Sequence, residues 1–548
     1  MAGGASLAAL VKIVQDWRWR QGLKRAEQLP GLGEALPAMR QPQFGTCVYL
    51  DYNATTPIFP EVSAAMVPFM NSCFGNPSSG HVFATPCREA ISKARSLVAE
   101  LVNAQDPDDT ICFTSCGTES DNMAIRIAMN HFYSRINSSG GSAAVAAAAT
   151  TAHVVTSAIE HPAVLVYLRA LEQTREIQLT VVPVDGEGFV SAADVAKALR
   201  ENTCCVTIMH SNNEVGTLQP IREISRHIRS FNKRQNSHVL LHSDAAQSLG
   251  KGVDVDVEAL MVDLVTIVGH KMGAPKGVAA LYIRQGICCG LVGTTGGGTL
   301  LVGGGQEKGR RSGTENVMLI TALGEAARIA RIESRATLLR MVTLKRRLVL
   351  ALRSKLAQAC ASLSPSSRTR LGGLDGERIA QQLVRFNGPR RCAEAAELES
   401  DLAMLRIIGH HKVPPPSKKD SSSTSGQSTS TPSPVVSSTV PASLTLEQLP
   451  NTLSVSFKGL LAHQLTARLA GPAGVACSAG SACHSSGSGS GSGADHTTSI
   501  SPVLRAMNVP PEFARGTLRL SWGRHTTEQD IDESAARIAA VVVSMLSA

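Results

Sequence analysis

His242-Ser243-Asp244-Ala245-Ala246-Gln247 and, one helix and one strand later, Thr266-Ile267-Val268-Gly269-His270-Lys271 each close an apolar run of β character. If both runs are strands of a parallel sheet, they end on the same carboxyl edge, where an aspartate and a lysine come within reach of one ligand. The pattern repeats on either side. Residues 48–50, 110–114, 153–156, 179–184, 203–210, 239–243, 264–269 and 278–283 all have strand character, separated by longer helical stretches. Such alternation predicts an α/β domain around a mostly parallel sheet. Helical periodicity over 316–357 predicts a long helix passing into a second part of the chain, where strands at 451–457 and 517–522 would build a smaller α+β unit. The expected division is a tail at 1–46 that contributes in part to the small domain, a large domain at 47–315 and a small one at 316–548.

Composition narrows the function classes. The 548 residues are 43% hydrophobic, enough for a large core and more than one domain. No apolar run approaches the roughly 20 residues that span a bilayer, and 538–546 has the pattern of one face of a terminal helix. A net charge of +9 is small for this length, and with 4% aromatic residues there is no basic stripe with interleaved rings, so neither a nucleic-acid nor a membrane partner is expected. Thirteen cysteines, an odd number that includes the neighbours Cys204-Cys205 and Cys288-Cys289, fit free thiols in a reducing compartment. Cys112 and Cys116 lack a second pair at zinc spacing and are expected to be small buried residues at a strand end, with no metal site. The first 43 residues carry Asp16, Glu27 and Glu34 among their basic residues. A transit peptide is usually poor in acids, which puts the cytoplasm first and the mitochondrion second. Residues 137–151, 414–443 and 485–493, rich in Ser with Gly, Ala, Thr or Pro, are expected to be disordered insertions, near 390–445 and 485–495 in the small domain.

An aspartate facing a lysine at a sheet edge suits pyridoxal phosphate, whose aldehyde condenses with a lysine and whose pyridine nitrogen is kept protonated by an acid. Taken singly, Asp244 would be read as a helix cap and Lys271 as one more solvated lysine after a strand. Other strand ends add weight. Phe113-Thr114-Ser115-Cys116-Gly117-Thr118-Glu119-Ser120-Asp121-Asn122 passes from a strand through a small-residue turn into a helix, a cradle for phosphate or a plain helix cap. Ser157-Ala158-Ile159-Glu160-His161-Pro162-Ala163 places a histidine where its ring can stack on a cofactor, and His210-Ser211-Asn212-Asn213-Glu214-Val215-Gly216 offers Asn213 as a donor; buried structural roles stay open for both.

These blocks resemble the cysteine desulfurase and selenocysteine lyase family, the aminotransferase class V branch of the fold-type I pyridoxal phosphate enzymes. The likeness runs from about Cys47 to the C-terminus, leaving out the insertions, and includes Tyr49-Leu50-Asp51-Tyr52-Asn53-Ala54-Thr55-Thr56-Pro57, Gly75-Asn76-Pro77-Ser78-Ser79, Gly303-Gly304-Gly305-Gln306-Glu307, Arg311-Ser312-Gly313-Thr314-Glu315-Asn316 and Cys477-Ser478-Ala479-Gly480-Ser481-Ala482-Cys483-His484-Ser485. The resemblance implies that Lys271 carries the cofactor and Asp244 pairs with its ring nitrogen. It implies that Gln247 and Asn213 face the ring oxygen, that His161 stacks on the ring, and that Gly117, Thr118 and His270 hold the phosphate. Thr314 would reach the phosphate of a neighbouring subunit, which implies a homodimer. Arg524 would bind the substrate carboxylate with Asn53 nearby, a task suited to the guanidinium fork.

Cys483 matches the family's mobile nucleophile, with His484 beside it and Cys477 as the rival. A metal reading of these three lacks a fourth ligand. Two departures stand out: many desulfurases carry serine where Val268 stands, and a Gly-Ser repeat follows Cys483. The blocks around Lys271, Arg311 and Cys483 resemble selenocysteine lyases more than desulfurases. The expected reaction is removal of selenium from L-selenocysteine to leave L-alanine, with L-cysteine desulfuration as the alternative, a selenium or sulfur acceptor as partner, and a catalytically silent scaffold as the non-enzyme alternative.

Overall fold

A computed structural model describes residues 46–138, 151–290, 300–363, 365, 376–388, 446–471, 474–480 and 500–547. The expected insertions at 414–443 and 485–493, and all but the ends of 137–151, lie outside the described residues. Twelve strands are described: β1 (Val48–Tyr49), β2 (Ile111–Thr114), β3 (Ala152–Ser157), β4 (Ile177–Val182), β5 (Thr203–Thr207), β6 (Leu240–Asp244), β7 (Leu264–Val268), β8 (Ala279–Ile283), β9 (Val384–Asn387), β10 (Thr452–Phe457), β11 (Val475–Ala476) and β12 (Thr517–Ser521).

Seven of these form one sheet in the order β2-β8-β7-β6-β5-β3-β4. Only β8 runs against the rest, pairing antiparallel with β2 and β7, while β7, β6, β5, β3 and β4 are parallel in sequence. Strands β5 to β8 are buried along their whole length, as a sheet covered on both faces requires. The covering helices include Gly117–Ser138 and Pro162–Gln173 on one side, whose residues Met123, Ile127, Val164 and Leu168 pack with Val154 and Leu264. Every parallel strand therefore delivers its following loop to one edge. The edge strand β2 is closed off by a buried ion pair: Arg95 donates to Glu307 through two 2.7 Å bonds and to the Ile111 carbonyl, and Glu307 accepts the Phe113 amide at 2.9 Å.

A second core surrounds the antiparallel sheet β12-β10-β9 and the helices Ser334–Ala361 and Glu528–Ser547. Strand β1 pairs with β11, and Val48 and Leu50 pack into this second core, so the start of the described chain joins its end. The long helix expected over 316–357 is two helices, Val317–Ile332 and Ser334–Ala361. They meet at Glu333 (φ −95°, ψ 0°), whose carboxylate is held by Arg524 at 2.7 Å. The first packs in the core of the large sheet and the second in the other. Cys116 also departs from expectation: Cys112 is buried in β2, but Cys116 is exposed on the turn after it.

Candidate active site

Asp244 is the last residue of β6 and is buried, its Oδ1 accepting the Ala246 amide at 2.9 Å. Burial raises its pKa; the Ala246 N–H, and then the charges of His161 and Lys271, oppose the rise. Asp121, on the helix Gly117–Ser138, is buried too, and burial together with Asp244 holds it well above the usual carboxylate range. Its Oδ1 makes no hydrogen bond, His242 Nε2 lying 3.8 Å away. Glu160, which accepts the Met209 amide through both oxygens, is pushed by burial up to about 8. The edge thus gathers three carboxyl groups with too little positive charge to hold them all ionised. A protonated pyridine nitrogen supplies the cation that this donor set is short of, and pyridoxal phosphate passes that test.

Strand β7, next to β6, runs into the turn Gly269–Lys271. Lys271 Nζ donates to the carbonyls of Asn53 (2.5 Å) and Ala54 (2.9 Å). His270 Nδ1 lies 3.1 Å from Thr55 Oγ1, and burial followed by the charge of Lys271 lowers its pKa to about 4, so its imidazole is neutral at pH 7. On the neighbouring side His161 caps the helix Pro162–Gln173 by accepting the Ala163 amide on Nδ1 at 3.2 Å.

The phosphate expectation rests on Gly117, the first residue of the 22-residue helix Gly117–Ser138, where no earlier turn accepts the opening amides. A Cβ at Gly117 would meet Val268 Cγ2 at 2.8 Å, so the glycine is required by the close approach of the helix to the end of β7. Val268, standing where the resemblance leads one to expect serine, fills that space with methyl groups. Glu119 on the same helix takes the Ser115 amide at 2.7 Å and Arg311 Nε at 2.8 Å, which ties the Arg311–Asn316 segment to the cradle. Thr314 itself is exposed.

Asn53 is fully buried and its polar capacity is spent within the protein. Its Nδ2 donates to the Asn213 carbonyl (3.2 Å) and Thr452 Oγ1 (2.8 Å), and its Oδ1 accepts from Lys251 Nζ (2.8 Å) and Asn451 Nδ2 (3.2 Å). Gln247 Nε2 donates to the Asn53 carbonyl at 3.0 Å. Asn53 is therefore a junction between Gln247, Asn213 and Lys271, and its side chain is not directed at open space. Arg524 lies with its guanidinium carbon 4.7 Å from the centre of the Phe59 ring and is held by Glu61 through two 3.0 Å bonds and by Glu333. It lines, with Lys271, Lys251, Tyr52 and Trp522, a cavity of about 30 Å³.

Sequence reasoning missed Lys251, Asp121 and the buried Arg519. Arg519 Nη2 binds Asp51 Oδ1 (2.7 Å) and Ser478 Oγ (3.1 Å), and its Nη1 donates to the Asn213 carbonyl (3.1 Å). A charged residue between Leu518 and Leu520 in a buried strand was the available signal for Arg519. Cys483 and His484 lie outside the described residues. Cys477, in contrast, is half-buried, and burial pushes its thiol up to about 12.

The aminotransferase class-V family matches residues 48–370. The chain is 33% identical to the cysteine desulfurase IscS of Dictyoglomus turgidum over 486 residues, covering 88% of this chain and 92% of that protein. It is 34% identical to the selenocysteine lyase of Bos taurus over 504 residues, covering 90% and 93%. Among solved structures, a NifS-like protein superposes with a TM-score of 0.61 at 28% identity over 90% of this chain and 98% of that one.

Proposed function

The chain belongs to the aminotransferase class-V family, and on the strength of its cysteine desulfurase and selenocysteine lyase relatives as pyridoxal phosphate enzymes we propose that it removes selenium from L-selenocysteine, leaving L-alanine. The observation that carries the reading is the convergence of Asp244, His161 and Lys271 at one sheet edge, each within electrostatic reach of Asp244. Bound pyridoxal phosphate is an electron sink that weakens bonds next to an attached amino acid's α-carbon. Lys271 would hold it, Asp244 would keep its ring nitrogen protonated, and Gly117, Thr118 and His270 would take its phosphate, with Thr314 reaching across a homodimer. An exposed apolar patch of Met70, Phe74, Val82 and Phe83, with Phe74 and Phe83 stacked at 5.8 Å, supports a second copy as the partner.

Lys271 Nζ, released from the Asn53 and Ala54 carbonyls, is the group placed to carry protons to and from the substrate. Arg524 would exchange Glu61 for the substrate carboxylate, since the same guanidinium fork serves either. The Cys483 thiolate would attack selenium: an S–Se bond forms, the Cβ–Se bond breaks, its electron pair stays on carbon, and a proton completes alanine. An external thiol would then reduce the selenopersulfide and release selenide. Cys477 is a poor candidate because a thiol with a pKa near 12 stays protonated at neutral pH. The domain boundaries at 47–315 and 316–548 and a cytoplasmic location belong to the same proposal. Separate cores around the two sheets support the former, and among the described residues no helix is long and apolar enough to cross a membrane.

A second reading, L-cysteine desulfurase, is favoured by the 33% identity to the Dictyoglomus turgidum enzyme. Alanine release from L-selenocysteine and from L-cysteine, measured side by side on wild type, Cys483→Ser and Cys477→Ser, tests both. The proposal expects faster release from selenocysteine, loss of cysteine turnover in Cys483→Ser and little change in Cys477→Ser. A higher kcat/KM for cysteine would establish the second reading, and the opposite cysteine phenotype would move the nucleophile.

A further inference from the structure

Lys251 is a lysine with 2% of its surface exposed, and among the described residues no carboxylate pairs with it. Two left-handed glycines turn it inward: Gly250 (φ +74°) is packed so that a Cβ would lie 2.5 Å from Met272 Cβ, and Gly252 (φ +74°) so that one would lie 2.6 Å from the Leu338 backbone nitrogen. Its Nζ donates to two side-chain amide oxygens, Asn53 Oδ1 at 2.8 Å and Gln247 Oε1. Burial, and then the charges of Lys271 and Arg519, hold its pKa well below the usual lysine value. The arrangement does not depend on which form is present. An ammonium has three donors and a neutral amine two, so either satisfies both oxygens.

An amide side chain has an acceptor end and a donor end, and its rotation decides which one faces a ligand. With Oε1 taken by Lys251 and one Nε2 hydrogen on the Asn53 carbonyl, Gln247 has one N–H left. The same lysine fixes the amide of Asn53, whose Nδ2 then holds the Asn213 carbonyl. We propose that Lys251 is a positioning residue that sets the amide orientation of Gln247, so that an N–H and not an oxygen is presented to the ring oxygen of the cofactor. This rests on the reading that Gln247 faces that oxygen. A donor there stabilises negative charge on the ring oxygen, and a reversed amide would oppose it.

The test compares holoenzyme forms of Lys251→Met, Gln247→Met and the double variant by the pH midpoint of the cofactor's visible absorption band, with cofactor affinity as a second readout. Loss of a hydrogen bond to a charged oxygen should move the midpoint by about one pH unit. The inference expects Lys251→Met to reproduce most of the Gln247→Met shift, the double variant to add nothing, and Lys251→Gln, which keeps two N–H donors on one nitrogen, to recover most of the wild-type midpoint. A shift in Gln247→Met with none in Lys251→Met overturns the inference and spares the reading of Gln247. Silence in both overturns that reading and the inference with it. If Lys251→Met does not fold, the crystal structure of the wild-type holoenzyme decides: Lys251 Nζ within hydrogen-bond distance of Gln247 Oε1 supports the inference, and Nζ out of reach of it refutes the inference.

Discussion

The carboxyl edge of the large sheet and the junction around Asn53 lie against each other, yet they are built differently. At the edge, each group follows its own strand: Asp244 ends β6, Lys271 follows β7, His161 follows β3 and Gly117 follows β2. Around Asn53, five distant segments meet through side-chain hydrogen bonds, from Asn53 to Asn213, Lys251, Asn451 and Ser521. The first region gathers ionisable groups at one edge, and the second consumes its own polar groups in holding distant segments together. Chemistry is therefore expected to respond to changes at the edge, and stability and geometry to changes at the junction.

The sharpest break in that contrast should come from Asp244→Ala, which removes the carboxyl proposed to face the cofactor's ring nitrogen. Turnover should fall by about 10²- to 10³-fold, the range seen when a group stabilising developing charge is lost, while the thermal melt of the apoprotein stays close to wild type. A folded variant with wild-type rates would take Asp244 out of the chemistry. Arg519→Met attacks the junction instead. It leaves Asp51, 18% exposed at its side chain, without its 2.7 Å partner, and denaturant unfolding should show a loss of about 3 kcal/mol; an unchanged midpoint would mean the pair does not hold the segments together.

Gly117→Ala falls between the two regions in kind. Its new methyl would press on Val268 Cγ2, so cofactor affinity should fall about tenfold and Val268→Ala in the same chain should restore most of it. Failure of that rescue, measured by titrating apoprotein with cofactor, would place the cost somewhere other than this contact.

What the sequence made legible follows the same division. Strand-end motifs are local: the apolar run, the turn and the functional residue are consecutive, so β6 with Asp244 and β7 with Lys271 are readable directly. Strand β9 escaped because Val384–Asn387 mixes charged and apolar residues, and its partners in β10 lie some 70 residues away. Lys251 escaped because lysine is ordinarily solvated, and only the fold reveals that its two flanking glycines turn it toward Asn53. The break at Glu333 escaped because helical periodicity continues through it, and the bond from Arg524 is a tertiary contact.

The smallest expected effect is one of pH. Burial raises Glu160 to about 8 from an unfolded value near 4.5, so the folded state binds a proton that the unfolded state has lost between those values. Its contribution to stability is complete below pH 4.5 and declines as pH rises through 8. Between pH 6.5 and 8, above the titration of unfolded histidines, wild type should lose about 2 kcal/mol that Glu160→Gln retains. Parallel pH profiles for the two proteins would contradict this.

On the proposed reading the cofactor is carried by Lys271, after the strand next to that of Asp244, although Lys251 lines the same cavity. Borohydride reduction of the holoenzyme, which fixes pyridoxal phosphate to the lysine that carries it, followed by peptide mass mapping, puts the two side by side. The added mass should appear on the peptide containing Lys271 and not on Lys251; label on Lys251, or on neither lysine, would overturn the assignment.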